Sequence, residues 1–243
     1  MIRLDQIKGI IFDYGGTIDS NGLHWAEVIW QGYETANVPV EKAIFRDAYV
    51  FGERTLGKNP IIQPEHTFQD MLRIKIRLQM DWLIENGHLI TEQANKQLSD
   101  QVADWCYEYA RKAIDNARPI LNRLAEKYPM VLVSNFYGNI AAVLKSLKAF
   151  GLDHLFGHIV ESAVVGIRKP DPAIFQLGVD HLALPAKEIV VVGDSYDKDI
   201  VPATTIGCQT IWLKSIGWKP YEGNETADAV ITDFQQTKEL FHL

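Results

Sequence analysis

Four short stretches of this 243-residue chain carry side chains that can do chemistry together. Gly9-Ile10-Ile11-Phe12 reads as a buried strand with Asp13 at its end, and Gly15-Gly16-Thr17 follows at once. A carboxylate placed there can serve as a nucleophile, on a loop whose glycines let the backbone come close to a phosphate. Ser134 and Asn135 follow the apolar run 130–133. Arg168-Lys169-Pro170-Asp171-Pro172 leads into a helical stretch. Gly193-Asp194-Ser195 follows the apolar run 189–192, with Asp197 and Asp199 close behind. Taken singly, each has a plain structural use. An Asp or Ser at the end of a strand caps helices and turns, and an Asp in a helix's first turn is favoured by the dipole. Taken together, a carboxylate, a hydroxyl, a lysine and an acidic cluster all follow β-like runs. Asp197 has nothing to draw it to the others and reads as a solvated turn residue.

The elements that must position these residues divide the chain unequally. Residues 8–13 form a first strand. Residues 20–115 hold helical patterns and no convincing long strand; Leu98, Val102, Trp105, Cys106 and Tyr109 fall on one helical face, with Thr91 and Glu92 suited to its start. The segment 72–80 alternates apolar and polar residues as a strand would, but its flanks favour helix and no turn residues bound it, so it is read as helix. Trp25, Trp30, Tyr33, Trp82, Trp105 and Tyr109 read as the packing of this helical part. From residue 116 onward, apolar runs at 130–133, 158–160, 189–192 and 210–213 alternate with helices near 138–149, 172–181 and 198–206. Continuous apolar runs separated by helices predict a parallel sheet covered on both faces. The fold class expected is α/β: a Rossmann-like core of residues 1–19 and 114–243, with an α-helical insertion at 20–113. In such sheets ligands bind outside the carboxyl ends of the strands, where these side chains fall.

Composition narrows the partners. The net charge of −7 argues against nucleic acid, whose backbone calls for a basic face. A small anionic substrate is compatible with it if a metal ion, a lysine or helix N-termini meet the charge locally. No apolar run approaches the length of a membrane span, and the first residues lack the pattern of a secretory signal, so a cytoplasmic location is expected. Cys106 and Cys208 read as two buried thiols.

FDYGGT, VLVSN, RKPDP and VVGDSYDKD resemble, in that order, the four motifs of the haloacid dehalogenase-like hydrolases, in the branch with a helical cap after the first motif. The resemblance covers essentially the whole chain. It implies a phosphatase in which Asp13 attacks phosphorus and forms an aspartyl-phosphate that water hydrolyses. It further implies that Ser134, Asn135, Lys169, Gly16 and Thr17 hold the phosphoryl group, with Lys169 also restraining Asp13. Mg²⁺ would be bound by Asp13, the Gly15 carbonyl and Asp194, supported by Asp199, and the substrate would be a small phosphorylated metabolite. The physical chemistry agrees: a carboxylate facing a phosphate dianion is repelled unless cations intervene, and Mg²⁺ takes oxygen ligands.

The chain departs from that pattern at Gly15. Phosphatases of the family carry a second Asp there, which protonates the leaving alcohol and then activates water. Gly15 retains the backbone carbonyl and loses the proton transfer, a help typically worth about 10²–10⁴-fold in rate. This leaves three alternatives to an ordinary phosphatase. One is a protein that binds a phosphorylated ligand without turnover. Another is a phosphonatase-type C–P hydrolase using a cap lysine such as Lys58, and the third is a metal-free dehalogenase, which the GDS stretch argues against. Asp19 reads as a brace where the chain enters the insertion. Tyr14, His24, Arg54, Lys58 and Phe136 are candidate substrate contacts.

Overall fold

The computed structural model of the chain describes residues 2–90, 96–137, 140–214, 221, 223 and 225–243. In chain order the elements are β1 (Gly9–Phe12), α1 (Trp25–Thr35), α2 (Lys42–Lys58), α3 (Phe68–Glu85), α4 (Lys96–Ala125), β2 (Met130–Ser134), α5 (Ile140–Ala149) and β3 (His158–Glu161). There follow α6 (Ser162–Val165), α7 (Ala173–Leu182), β4 (Ile189–Gly193), α8 (Val201–Thr205), β5 (Gln209–Leu213), β6 (Ala229–Ile231) and α9 (Thr237–Leu240). The chain forms two compact units, one of residues 1–24, 112–136 and 147–243, the other of residues 25–111 and 137–146. Residues 137–146 thus cluster with the helices, although sequence alone groups them with the sheet.

The sheet unit is the expected α/β architecture. Among the described residues it holds six strands, all parallel, in the order β3-β2-β1-β4-β5-β6. This order reverses at β1, the arrangement that opens a crevice at the carboxyl ends. β1, β2, β4 and β5 are buried along their whole length, which explains their unbroken apolar runs. One face packs Ile11, Val131, Val133 and Val191 against Ile174, Phe175 and Ala203. On β1, Phe12 meets Phe156 edge-on and Phe234 at a tilt. The expected helix at 198–206 begins as a π-turn over Tyr196–Ile200 before α8. β6 was not legible, because three residues carry no readable period.

The helical unit shows why 72–80 alternates. α3 is a helix, started by a capping box between Thr67 and Asp70. Leu72, Ile76, Met80 and Leu83 are buried along one side. Met71, Ile74 and Leu78 pack against a second cluster of Leu56, Ile62 and Ala142. A helix with two apolar neighbours shows more apolar positions than a one-sided amphipathic pattern allows, and here they fall on alternate residues. On α4 the buried stripe runs through Val102, Cys106 and Ala110, while Trp105 and Tyr109 stack on each other, half-buried. Of the aromatic residues expected as packing, Tyr33 is fully buried against Phe45. The start expected at Thr91 and Glu92 lies outside the described residues. Cys106 and Cys208 are both free and buried. Among the described residues, no helix is long and apolar enough to cross a membrane.

Candidate active site

The site is built at the carboxyl ends of β1, β2 and β4 and the loops that follow them. The Asp13 N–H donates to the Val192 carbonyl, so the ladder between β1 and β4 runs one residue past β1 and holds the base of Asp13. The chain then turns sharply. Gly16 has φ +101° and its N–H donates to Asp19 Oδ1 at 2.8 Å. A Cβ on Gly16 would stand 2.5 Å from the Asp194 carboxyl, so only glycine lets this loop lie against Asp194. Asp19 is buried beneath the turn, where it receives an amide of the loop itself. Gly15 differs from Gly16: no atom lies within 4 Å of where its Cβ would stand, and its φ is not in the left-handed region.

Lys169 links the parts. Its Nζ donates to Asp13 Oδ1 at 2.6 Å and to Asp199 Oδ1 at 2.8 Å, and all three side chains are buried. Asn135 secures the lysine's backbone in both directions: Lys169 N–H donates to Asn135 Oδ1 at 2.9 Å, and Asn135 Nδ2 donates to the Lys169 carbonyl at 3.1 Å. Both ends of the Asn135 amide are therefore engaged inside the protein. The Thr17 hydroxyl lies 3.0 Å from Asp13 Oδ2 and 3.5 Å from Asp194 Oδ1. Asp199 Oδ2 accepts from the Ser195 N–H, and the Trp212 indole N–H donates to the Asp194 carbonyl at 2.8 Å. A Cβ on Gly193 would stand 2.4 Å from that of Asp199, so the glycine before Asp194 lets Asp199 fold back over the strand end. Ser134 ends β2, buried, one strand over from Asp13.

Carboxylate oxygens of Asp13, Asp194 and Asp199 lie within 4.8 Å of one another. Three carboxyl groups around one ammonium leave two negative charges uncompensated when all are ionised. Burial, followed by the Asp199 charge and opposed by Lys169, raises the Asp13 carboxyl to about 6. Burial and the charges of Asp13 and Asp199 hold the Asp194 carboxyl well above the usual range. Burial lowers Lys169, but its two carboxylate partners outweigh it and keep the amine raised. Charge, donor type and spacing all suit a divalent, oxygen-loving cation.

The structure thus brings together Asp13, Thr17, Lys169, Asp194 and Asp199 by contact, with Gly15, Gly16, Ser134 and Asn135 at the same sheet edge. Asp197 is exposed, as its turn position suggests. Of the candidate substrate contacts, Tyr14 is buried and lies against Phe136 at 5.7 Å between ring centroids. Arg54 and Lys58 are exposed on α2. Sequence reasoning missed the roles of Gly193 and Asn135, and it read Asp19 as a brace without its partner, the Gly16 amide. A glycine closing the β-branched run 189–192 is the one signal that could have pointed to the first.

The sequence profile of the haloacid dehalogenase-like hydrolases matches residues 7–207. A glyceraldehyde 3-phosphate phosphatase of Pyrococcus furiosus is 28% identical over 136 residues, covering 55% of this chain and 56% of that one. The chain spans about half the length of such archaeal relatives. A phosphoglycolate phosphatase of Yersinia pestis is 28% identical over 96% of this chain and 93% of that one. Among solved structures, a hydrolase of Bacillus subtilis crystallised with magnesium superposes with a TM-score of 0.63 at 19% identity, over 98% of this chain and 99% of that one. That likeness concerns the fold.

Proposed function

This chain belongs to the haloacid dehalogenase-like hydrolase family, and on that premise we propose that it hydrolyses small phosphate monoesters with Asp13 as nucleophile and Mg²⁺ as cofactor. The observation that carries the reading is the buried group of Asp13, Asp194 and Asp199 around a single lysine. Named phosphatases among the relatives support the reaction class.

In this reading Asp13, Asp194 and the Gly15 carbonyl would hold the cation, supported by Asp199. When bound, Mg²⁺ would supply positive charge to offset that of the phosphoryl group. Lys169 fixes the Asp13 carboxylate and adds its own positive charge, while Thr17 steadies the second Asp13 oxygen. Ser134 offers a hydrogen bond to the phosphoryl group, whereas the Gly16 amide expected to do so is already given to Asp19. Asn135 acts through the Lys169 backbone. A carboxylate oxygen of Asp13 bonds to phosphorus as the bond to the leaving oxygen breaks. Water then attacks the aspartyl-phosphate and releases inorganic phosphate. Preorganised charge of this kind supplies most of the help phosphoryl transfer needs.

Gly15 shapes the rest. With no carboxyl there, the first step favours leaving groups that depart without a proton, such as aryl or acyl phosphates, and release of the second product is slow. The test is p-nitrophenyl phosphate with Mg²⁺, with EDTA, and with an Asp13→Asn control. Release that needs both Mg²⁺ and Asp13 supports the reading. Release absent for p-nitrophenyl, acyl and alkyl phosphates alike, with Mg²⁺-dependent phosphate binding retained, favours the second reading that Gly15 motivates: binding without turnover.

A further inference from the structure

One buried acid at the same sheet edge takes no part in the chemistry above. Glu161 closes β3 and is the register partner of Ser134, which closes β2. Neighbours in register project to the same face of a parallel sheet, so the two side chains stand side by side. Glu161 is 1% exposed, and neither of its carboxyl oxygens has a hydrogen-bond partner among the described residues. Its neighbour Ser162 donates to the Phe136 carbonyl at 3.3 Å, which ties the end of β3 to the loop that follows Ser134. Tyr14 lies on the ring of Phe136, and its hydroxyl is likewise buried without a partner.

Among the described residues, no charged group offsets the burial of Glu161. β2 carries no titratable side chain from Met130 to Ser134, and α6 carries none. From α7 the titratable groups are Asp180 and His181, and His181 stacks on His158 at the opposite end of β3. An ionised carboxylate buried without a partner is costly, and it either stays protonated or draws in water. Burial alone raises the Glu161 carboxyl from 4.5 to about 7.

We propose that Glu161 is a proton-dependent positioning residue for the phosphate-holding end of β2. As a neutral acid it packs beside Ser134 and keeps the 134–136 segment seated; as an anion it hydrates and displaces that segment. The inference rests on the reading of Ser134 as a phosphate holder and adds to it a control by pH. Phosphate is held tightly below neutrality and more weakly above.

Glu161→Gln keeps the shape and removes the titration. Its first readout is thermal stability without substrate. The Glu161 carboxyl is raised in the folded state, so the wild type loses stability as pH climbs from about 4.5 to about 7 and no further. The melting-temperature gap in favour of Glu161→Gln should therefore open over that window and stay level above it. The second readout is KM for p-nitrophenyl phosphate between pH 6 and 8. The wild type should weaken by about 5-fold relative to the variant, the weight of one neutral hydrogen bond, with kcat alike. The ester's own ionisation is common to both proteins and drops out of the ratio. If no ester is turned over, thermal protection by inorganic phosphate over the same pH range reads the same site, so failure of the catalytic reading leaves this one testable. Should Glu161→Gln not fold, Glu161→Met serves in its place. A stability gap independent of pH overturns the proposal. So does a pH-dependent gap with superposable KM or phosphate-protection curves, since Glu161 then titrates without moving Ser134.

Discussion

Two polar clusters, one in each unit, look alike until their charges are counted. In the helical unit, Glu53 pairs with Lys75 and accepts from the Tyr137 hydroxyl, and Lys75 lies over the ring of Tyr49. One carboxylate meets one ammonium, partly open to solvent, with side chains 15% and 22% exposed. In the sheet unit, Lys169 is 2% exposed and meets Asp13 and Asp199 at 7% and 2%, with Asp194 as a third carboxyl. In the first cluster the carboxylate has its counter-charge. The second, once its carboxyls are ionised, carries an excess of negative charge that a fold would not keep for stability, because buried charge without compensation is costly. An acidic cluster with one lysine is suited to a cation, and a paired one holds helices together.

The comparison is broken most directly at Asp13. Asp13→Asn should lower turnover of p-nitrophenyl phosphate by about 10⁴-fold or more, as expected when a nucleophile is removed. A fall of tenfold or less would show that the imbalance serves binding and not covalent chemistry. Next in size is the contrast between the two lysines. Lys169→Met leaves two buried carboxylates without their partner and should cost about 3–5 kcal/mol in urea denaturation. Lys75→Met, from the more exposed pair, should cost about 1 kcal/mol. Equal losses would mean that the two lysines are held alike and that the sheet cluster carries no special charge imbalance.

A smaller effect concerns Gly15, where the structure offers open space for a side chain. Gly15→Asp should raise turnover of an alkyl phosphate by about 10²-fold and that of an aryl phosphate by less, the range of general acid–base help. Equal gains on both substrates would mean that the new carboxyl acts otherwise than as a proton donor. The smallest effect is on stability with metal. Mg²⁺ at about tenfold its Kd should stabilise the wild type by about 1.4 kcal/mol. Asp13 holds its proton up to about pH 6 and Asp194 is raised as well, so protons compete with the cation. The Mg²⁺ increment should accordingly shrink as pH falls through 6 in thermal melts, vanish in Asp194→Asn and survive in Lys75→Met.

Much of this site could be read before any fold was known, for a local reason. Asp13, Ser134 and Asp194 each follow an apolar run that announces a buried strand, and ligands gather at strand ends. Lys169 and Asp199 were legible through the resemblance of RKPDP and VVGDSYDKD to the family's motifs. What stayed hidden depends on approach between distant segments. Nothing near Asn135 in the chain says that its amide grips the backbone of Lys169. Gly193 gains its meaning from a Cβ across the turn, and Asp19 from the amide of Gly16. Residues 137–146 join the helical unit because Ala142 finds Leu56 and Ile62 there, a preference that no helical period expresses.

Sequence by itself therefore determined the kind and order of the elements, and with them which side chains end up at strand tips, because periodicity and apolar runs are properties of neighbouring residues. Only the tertiary structure decided how those tips combine. The strand order sets β1 between β2 and β4, lets one lysine serve two aspartates, and leaves Glu161 buried beside Ser134 without a hydrogen-bond partner among the described residues. Burial and charge balance are sums over neighbours in space, and the chain alone does not say who those neighbours are.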